Sequence, residues 1–170
     1  GAAKRPEAQM EAELSSMKRR LILSFLFLIP LFYISMGHMM GAPLPAFLVG
    51  HENAISFAFT QLLLTLPILY INDKYYRVGF KTLFHGAPNM DSLIAVGSAS
   101  AVVYGVFAIY QIGYGLGHGD MARVEQYHMD LYFESAGMIL TLITLGKFLE
   151  TRSKGKTSQA ITRLMDLSPK

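Results

Sequence analysis

Four long apolar runs dominate the chain and restrict it to the folds that a lipid bilayer allows. They cover about residues 21–40, 54–71, 92–115 and 131–149, and a helix that crosses the hydrocarbon needs about 17 to 25 residues. Backbone groups in lipid form their hydrogen bonds within their own segment, so each run is predicted to be a helix. The sequence therefore predicts an all-α membrane protein with four transmembrane helices.

The charges beside these runs predict how the helices are oriented. Lys and Arg cluster before the first run, between the second and third, and after the fourth, whereas the other two connections carry only Arg123. Because basic residues are enriched in cytoplasmic loops, both termini and the middle connection are predicted to be cytoplasmic. The net charge of the chain is only +3, and the basic residues flank the apolar runs and form no separate basic patch. We therefore predict no nucleic-acid partner.

Three polar or amphipathic segments flank or join the runs. Residues 1–20 are predicted to be a polar cytoplasmic leader, of which Gly1–Ala3 have the composition of a cloning remnant. Lys74–Phe84 alternates basic and aromatic residues and is predicted to be an interfacial amphipathic helix, serving either as a membrane anchor or as a docking platform. Residues 151–170 are predicted to be a cytoplasmic linker that continues the fourth helix and loosens near Gly155.

The turn before the third run carries helix-start chemistry. Asn89 is predicted to cap the third helix, with Asp91 and Ser92 in its first turn. Gly and Ser residues follow within the run, and such small side chains allow close contact between membrane helices. The third helix is therefore predicted to pack tightly against its neighbours.

Two glutamates mark the ends of the fourth run. Glu134 and Glu150 lie sixteen residues apart, which is roughly 24 Å along a helix. Carboxylates at membrane depth are costly and commonly mark an ion path, but each could instead reach toward its own interface. An ideal helix places the two on different faces, so an ion path between them would need other helices.

The residue types present limit the possible metal chemistry. The chain has no cysteine, which excludes disulfides, thiolate nucleophiles and Cys-based zinc sites. It has 10 methionines. Thioethers suit Cu(I), although methionine is also common filler in apolar packing. His38, Met39, Met40, His128 and Met129 lie in the two outward connections, where they are either ordinary loop residues or acceptors of a leaving metal ion.

Three motifs together resemble one protein family. Asn89–Gly97, Tyr132–Glu134 and Leu145–Glu150 are similar, in order and spacing, to the first half of the membrane domain of copper-transporting P-type ATPases. Residues 30–39 also resemble bacterial copper-exporting members. The resemblance covers residues 17–170.

The resemblance implies roles for three residues. Met90 and Glu150 would receive Cu(I) at the entry, and Glu134 would lie on the exit path. It further implies a pump in the plasma membrane that uses ATP and Mg²⁺ in the full-length protein, with Cu(I) delivered near Lys74–Phe84 by a copper chaperone or another donor. The predicted topology places Met90 and Glu150 inside and Glu134 outside, which agrees with export.

The chain departs from the family pattern at several points. Many members bend the second helix with a Gly-Gly pair, where this chain has Ile71 and Asn72. The Cys-Pro-Cys, Asp-Lys-Thr-Gly and Thr-Gly-Glu motifs of the family are not in this sequence. We therefore expect the N-terminal four-helix part of a longer pump, inactive as an ATPase by itself, with residues 151–170 leading to an actuator domain.

Two alternatives remain open at this stage. A zinc- or cadmium-transporting P-type ATPase would have the same architecture with a different ion. A non-catalytic four-helix scaffold of this length would lack any pump function, and its reading frame would stop near Lys170.

Overall fold

A computed structural model describes residues 4–167, which form six α-helices joined by short connections. These are α1 (Lys4–Met39), α2 (Ala54–Ile71), α3 (Lys74–Phe84), α4 (Met90–His118), α5 (Met121–His128) and α6 (Phe133–Leu167), with 3-10 turns at Ala46–Leu48 and His51–Asn53. No strand occurs within this range. Segments containing α1, α2, α4 and α6 are long and apolar enough to cross a membrane. The predicted all-α fold with four membrane-spanning helices is confirmed.

Helices α1 and α6 extend well beyond the apolar runs. α1 begins at Lys4, inside the predicted polar leader, and α6 continues to Leu167. The predicted loosening at Gly155 is wrong, because α6 is unbroken there. Gly155 is buried, and a Cβ atom on it would lie 2.6 Å from the Met10 Sδ atom, so the two extensions pack on each other. The predicted cloning remnant at Gly1–Ala3 lies outside the described residues.

The spanning helices pack around an apolar core. α1 packs against α2 and α6, while α4 packs against α3, α5 and α6. Gly105 on α4 leaves room for the buried Phe133 ring at the start of α6. The largest fully buried apolar side chains are Phe133, Leu31, Ile68, Ile112, Leu140 and Val124. Other apolar side chains, such as Leu26 and Val103, are exposed on the bundle surface, as expected where helices face lipid or further protein.

A close contact joins α3 to the start of α4. The Asn89 side chain accepts a hydrogen bond from the Ser92 backbone N–H at 3.1 Å, and the Ser92 hydroxyl accepts one from the Asn89 N–H at 3.2 Å. This reciprocal arrangement is a capping box, so the predicted cap at Asn89 is confirmed. The Ser92 hydroxyl also donates to the Gly79 carbonyl at 2.7 Å, which ties the cap to α3.

Asn72, at the end of α2, is the centre of a buried polar network. Its amide donates to the Ser24 hydroxyl and to the Ile68 carbonyl, both at 2.9 Å. Its carbonyl accepts from the Thr144 hydroxyl at 2.9 Å, and that hydroxyl lies 2.8 Å from the Tyr75 hydroxyl. The network links α1, α2, α3 and α6 at the position where related pumps are expected to carry Gly-Gly.

Replacing Asn72 with alanine is expected to destabilise the protein by about 1 to 3 kcal/mol, because two interhelical hydrogen bonds are lost inside the bundle. The measurement is the thermal unfolding midpoint of the purified protein in detergent. Asn53→Ala is the control, since among the described residues the Asn53 side-chain amide bonds to the nearby carbonyls of Ala46 and Val49 and to no other helix. Equal unfolding midpoints for Asn72→Ala and Asn53→Ala would contradict a stabilising role of the Asn72 network between the helices.

Candidate functional site

Glu134 lies inside the bundle and not toward solvent. It is in the first turn of α6, only 4% exposed, and its Oε2 atom has no hydrogen-bond partner within the described residues. It lines a cavity of about 210 Å³. The cavity lies between the end of α1, the start of α2 and the start of α6, and its other lining residues are Ser35, Met36, His38, Met39, Phe57, Gln61, His128, Met129, Leu131 and Tyr132. We call this region the Glu134 end of the bundle.

Two more buried polar side chains border the same cavity. Gln61 is fully buried and His128 is 5% exposed. Neither polar atom of the Gln61 amide and neither ring nitrogen of His128 has a partner in the part of the chain that is described. Buried polar groups without partners are uncommon and mark places where water, an ion or a ligand binds. Three such groups therefore converge on one cavity.

An aromatic and histidine cluster forms one side of this cavity. The His128 ring centroid lies 5.3 Å from that of His38, 5.7 Å from that of His51 and 4.7 Å from that of Phe57. His38 lies in the last turn of α1, and His128 ends α5, so neither is in a loop. Helix α5 was not predicted from the sequence. Its N-terminal signal is Asp120, whose side chain accepts a hydrogen bond from the Arg123 backbone N–H at 3.2 Å.

Asp130 is near Glu134 in sequence, but both of its carboxylate oxygens accept hydrogen bonds. The Tyr104 hydroxyl donates to one at 2.5 Å and the Tyr132 hydroxyl to the other at 2.7 Å. A carboxylate held this way has less capacity to bind an ion than one with a free oxygen. Among the acids near this end, Glu134 is the better candidate.

Glu150 has a different environment at the opposite end. Its side chain is 62% exposed, and its Oε1 atom lies 2.9 Å from the Lys154 Nζ atom. Such an exposed ion pair contributes little stability, so the carboxylate is accessible to other cations. Glu150 borders a cavity of about 220 Å³ that is also lined by Glu13, Met17, Arg20, Lys74, Tyr75, Thr144, Lys147 and Thr151. We call this region the Glu150 end.

Met90 is at the same end but does not border that cavity. It is the first residue of α4 and is 59% exposed. Its neighbour Asp91 pairs with Lys147 of α6 at 2.9 Å, which brings the start of α4 beside α6 one turn before Glu150. No contact described for residues 4–167 joins Met90 to Glu150, and the thioether bordering the Glu150 cavity is that of Met17.

Helix α3 carries an aromatic stripe at the Glu150 end. The rings of Tyr76, Phe80 and Phe84 follow one another with centroids 6.2 and 6.3 Å apart, and Phe84 is 83% exposed. The Tyr76 hydroxyl lies 2.7 Å from the Ser98 hydroxyl on α4. Burial raises the pKa of Tyr76 above its usual value, so this hydroxyl stays protonated and holds α3 against α4.

Polar side chains continue between the two ends. Thr65 on α2 and Thr141 and Thr144 on α6 are buried, and α2 packs against α6. Thr141 has no side-chain partner in the described region. These threonine hydroxyls lie inside the bundle between Glu134 and the Asn72 network. A polar path between the Glu134 end and the Glu150 end therefore does not require the two glutamates to lie on the same face of α6.

This arrangement defines a class of protein: a helical membrane segment with four spans and acid-containing cavities at both ends. Copper-transporting ATPase 1 of Rhizobium meliloti is 37% identical over 175 residues, which cover 100% of this chain and 20% of that protein. A Copper-exporting P-type ATPase of Staphylococcus epidermidis is 32% identical, covering 99% and 19%. A Probable copper-importing P-type ATPase A of Enterococcus hirae is 34% identical, covering 95% and 20%.

The resemblance to copper-transporting P-type ATPases is thereby confirmed, and the chain matches the N-terminal portion of these much longer proteins. It spans about one fifth of the length of the curated relatives it matches. No protein-family model matches the chain. A search of solved structures found no significant match.

Proposed function

We propose that this chain is the N-terminal membrane part of an ATP-driven pump that exports Cu(I) across the plasma membrane. Copper enters near Met90 and Glu150 and leaves past Glu134, while ATP and Mg²⁺ act elsewhere in the whole protein. The observation that carries the proposal is the buried Glu134 carboxylate with its free oxygen in a cavity at one end of the bundle. A buried acid of this kind is the feature expected of an ion path through a membrane.

The entry proposal depends on the two accessible groups at the Glu150 end. Met90 offers an exposed thioether, a soft ligand for Cu(I), and Glu150 offers a weak, hard carboxylate. A weak mixed site suits transfer, because transport requires release as well as capture. The stripe of aromatic rings on α3, with Lys74 and Lys81 beside it, is the surface on which we expect a cytoplasmic copper chaperone or another Cu(I) donor to dock.

The direction of transport rests on the charge pattern. Relatives of this chain include proteins named as copper-exporting and as probable copper-importing, so similarity alone favours neither direction. The basic residues next to the apolar runs favour cytoplasmic termini and a cytoplasmic Glu150 end. Copper that enters there and passes Glu134 is exported.

Replacing Met90 or Glu150 with alanine in the whole protein is expected to reduce copper-stimulated ATPase activity at least about tenfold, because each change removes a proposed ligand from the entry and even outer-shell changes cost roughly 10- to 100-fold. Activity is measured against free Cu(I) in a buffered titration. Met121→Ala and Glu7→Ala are the controls, since both side chains are exposed and border neither of the two end cavities. Full activity in both entry variants would refute the entry assignment, and stimulation by zinc but not copper would refute the choice of ion.

A further inference from the structure

We propose that His128 and His38, together with a methionine thioether, form a binding site for a soft monovalent cation, Cu(I) or its analogue Ag(I), at the Glu134 end. This inference rests on the proposed function and deepens it, because it adds nitrogen and sulfur ligands where only a carboxylate was assigned. An ion that leaves Glu134 would meet these softer donors in the same cavity.

The burial of His128 is the first argument. The ring is 5% exposed and lies 4.7 Å from the Phe57 ring, yet neither nitrogen has a partner among the described residues. Burying a polar group without a compensating bond is energetically costly. Neutral imidazole is also the commonest metal ligand of proteins. A metal ion on a ring nitrogen would compensate that cost.

His118 shows how the same residue type behaves in an ordinary setting. It ends α4, is exposed, stacks on the Tyr114 ring with centroids 3.9 Å apart, and its Nδ1 atom lies 2.8 Å from the Tyr114 carbonyl oxygen. Local structure therefore accounts for the His118 ring. No comparable local contact within residues 4–167 accounts for the nitrogens of His128.

The separation of the two imidazoles is the second argument. When two imidazole rings bind the same metal ion, each through a nitrogen about 2 Å from the metal, their ring centroids lie roughly 5 to 6 Å apart. The exact value depends on the nitrogen–metal–nitrogen angle. The His38 and His128 centroids are 5.3 Å apart. The separation of the pair is thus within the range that a shared ion requires.

The remaining donors determine which ion fits. In the described part of the chain, no group of three or more His, Cys, Asp or Glu side chains is arranged to hold a metal, so a third ligand must be of another kind. The thioethers of Met36, Met39 and Met129 line the same cavity. Imidazole accepts several transition metals, but thioether ligands select Cu(I), so the mixed set favours Cu(I) over Zn²⁺.

The test measures Ag(I) binding to the whole protein in lipid nanodiscs against a competing chelator. His128→Phe is expected to remove one bound Ag(I), or to weaken its binding by more than the roughly 10- to 100-fold loss typical of second-shell changes. His118→Phe, the matched control, is expected to bind as the unmodified protein does. His128→Met, which restores a soft donor, is expected to regain Ag(I) binding without regaining any Zn²⁺ binding at this site.

Unchanged Ag(I) binding in His128→Phe would overturn the inference, as would an equal loss in His118→Phe. If His128→Phe does not fold, His128→Met decides: a folded variant with strong Ag(I) binding but no Zn²⁺ binding at this site supports the site, and one without Ag(I) binding contradicts it. Copper-stimulated ATPase activity is recorded in the same preparations. Its absence in the unmodified protein would refute the proposed function, whereas intact stimulation with unchanged Ag(I) binding in His128→Phe would refute only this inference.

Discussion

Glu134→Gln in the whole protein is expected to lower copper-stimulated ATPase turnover at least about tenfold while leaving the fold intact. The amide keeps the shape of the side chain but removes the negative charge that would stabilise a monovalent cation inside the bundle. Because the carboxylate is 4% exposed and has a free oxygen, its burial as an anion is costly. The thermal unfolding midpoint is therefore expected to stay equal or to rise.

A loss of activity without a loss of stability distinguishes a transport role from a structural one. If Glu134 only supported packing, the glutamine variant would lose both properties together. Glu125→Gln is the control, since Glu125 is exposed on α5 near the same end, and it is expected to change neither. Normal copper-stimulated turnover in Glu134→Gln would contradict the exit assignment, whatever its stability.

Hydropathy and local signals in the sequence predicted the elements that depend on local physics. α2 has the predicted bounds, Ala54–Ile71, and the cap at Asn89 forms as expected. Both depend on interactions within a few residues: a continuous apolar run in one case and a side chain bonding its own helix start in the other. The family motifs indicated the copper-transporting relatives for a similar reason, because each motif is a contiguous stretch.

What the sequence did not reveal depends on contacts between distant segments. The polar residues 4–20 form part of α1, and α6 continues through Gly155, because these two helical extensions pack on each other. From hydropathy, residues 1–20 were predicted only as a polar leader and residues 151–170 only as a linker that continues the fourth helix and loosens near Gly155. In the same way, His128 was assigned to an outward connection, and only the packing of α5 buries it beside His38. The cavity that joins His128 to Glu134 has no signature in either stretch alone.

Gly79→Ala is expected to destabilise the protein by about 2 to 3 kcal/mol, in the range of overpacked buried sites. Gly79 is buried in α3, and a Cβ atom there would collide with the backbone carbonyl group of Asp91 at the start of α4. Backbone atoms cannot rotate aside as a side chain can, so α3 and α4 would have to separate. The measurement is the thermal unfolding midpoint of the purified protein in detergent.

Gly97→Ala provides the control, because it makes the same substitution within a helix where a new Cβ atom meets nothing within 4 Å. Alanine favours helix more than glycine does, so this variant is expected to gain up to about 1 kcal/mol. Separation of α3 from α4 would also break the bond from the Ser92 hydroxyl to the Gly79 carbonyl, and with it the anchoring of the cap that precedes Met90. Gly79→Ala should therefore also reduce copper-stimulated activity at temperatures where it remains folded. A Gly79→Ala protein as stable and active as Gly97→Ala would show that the α3–α4 contact does not hold the entry in position.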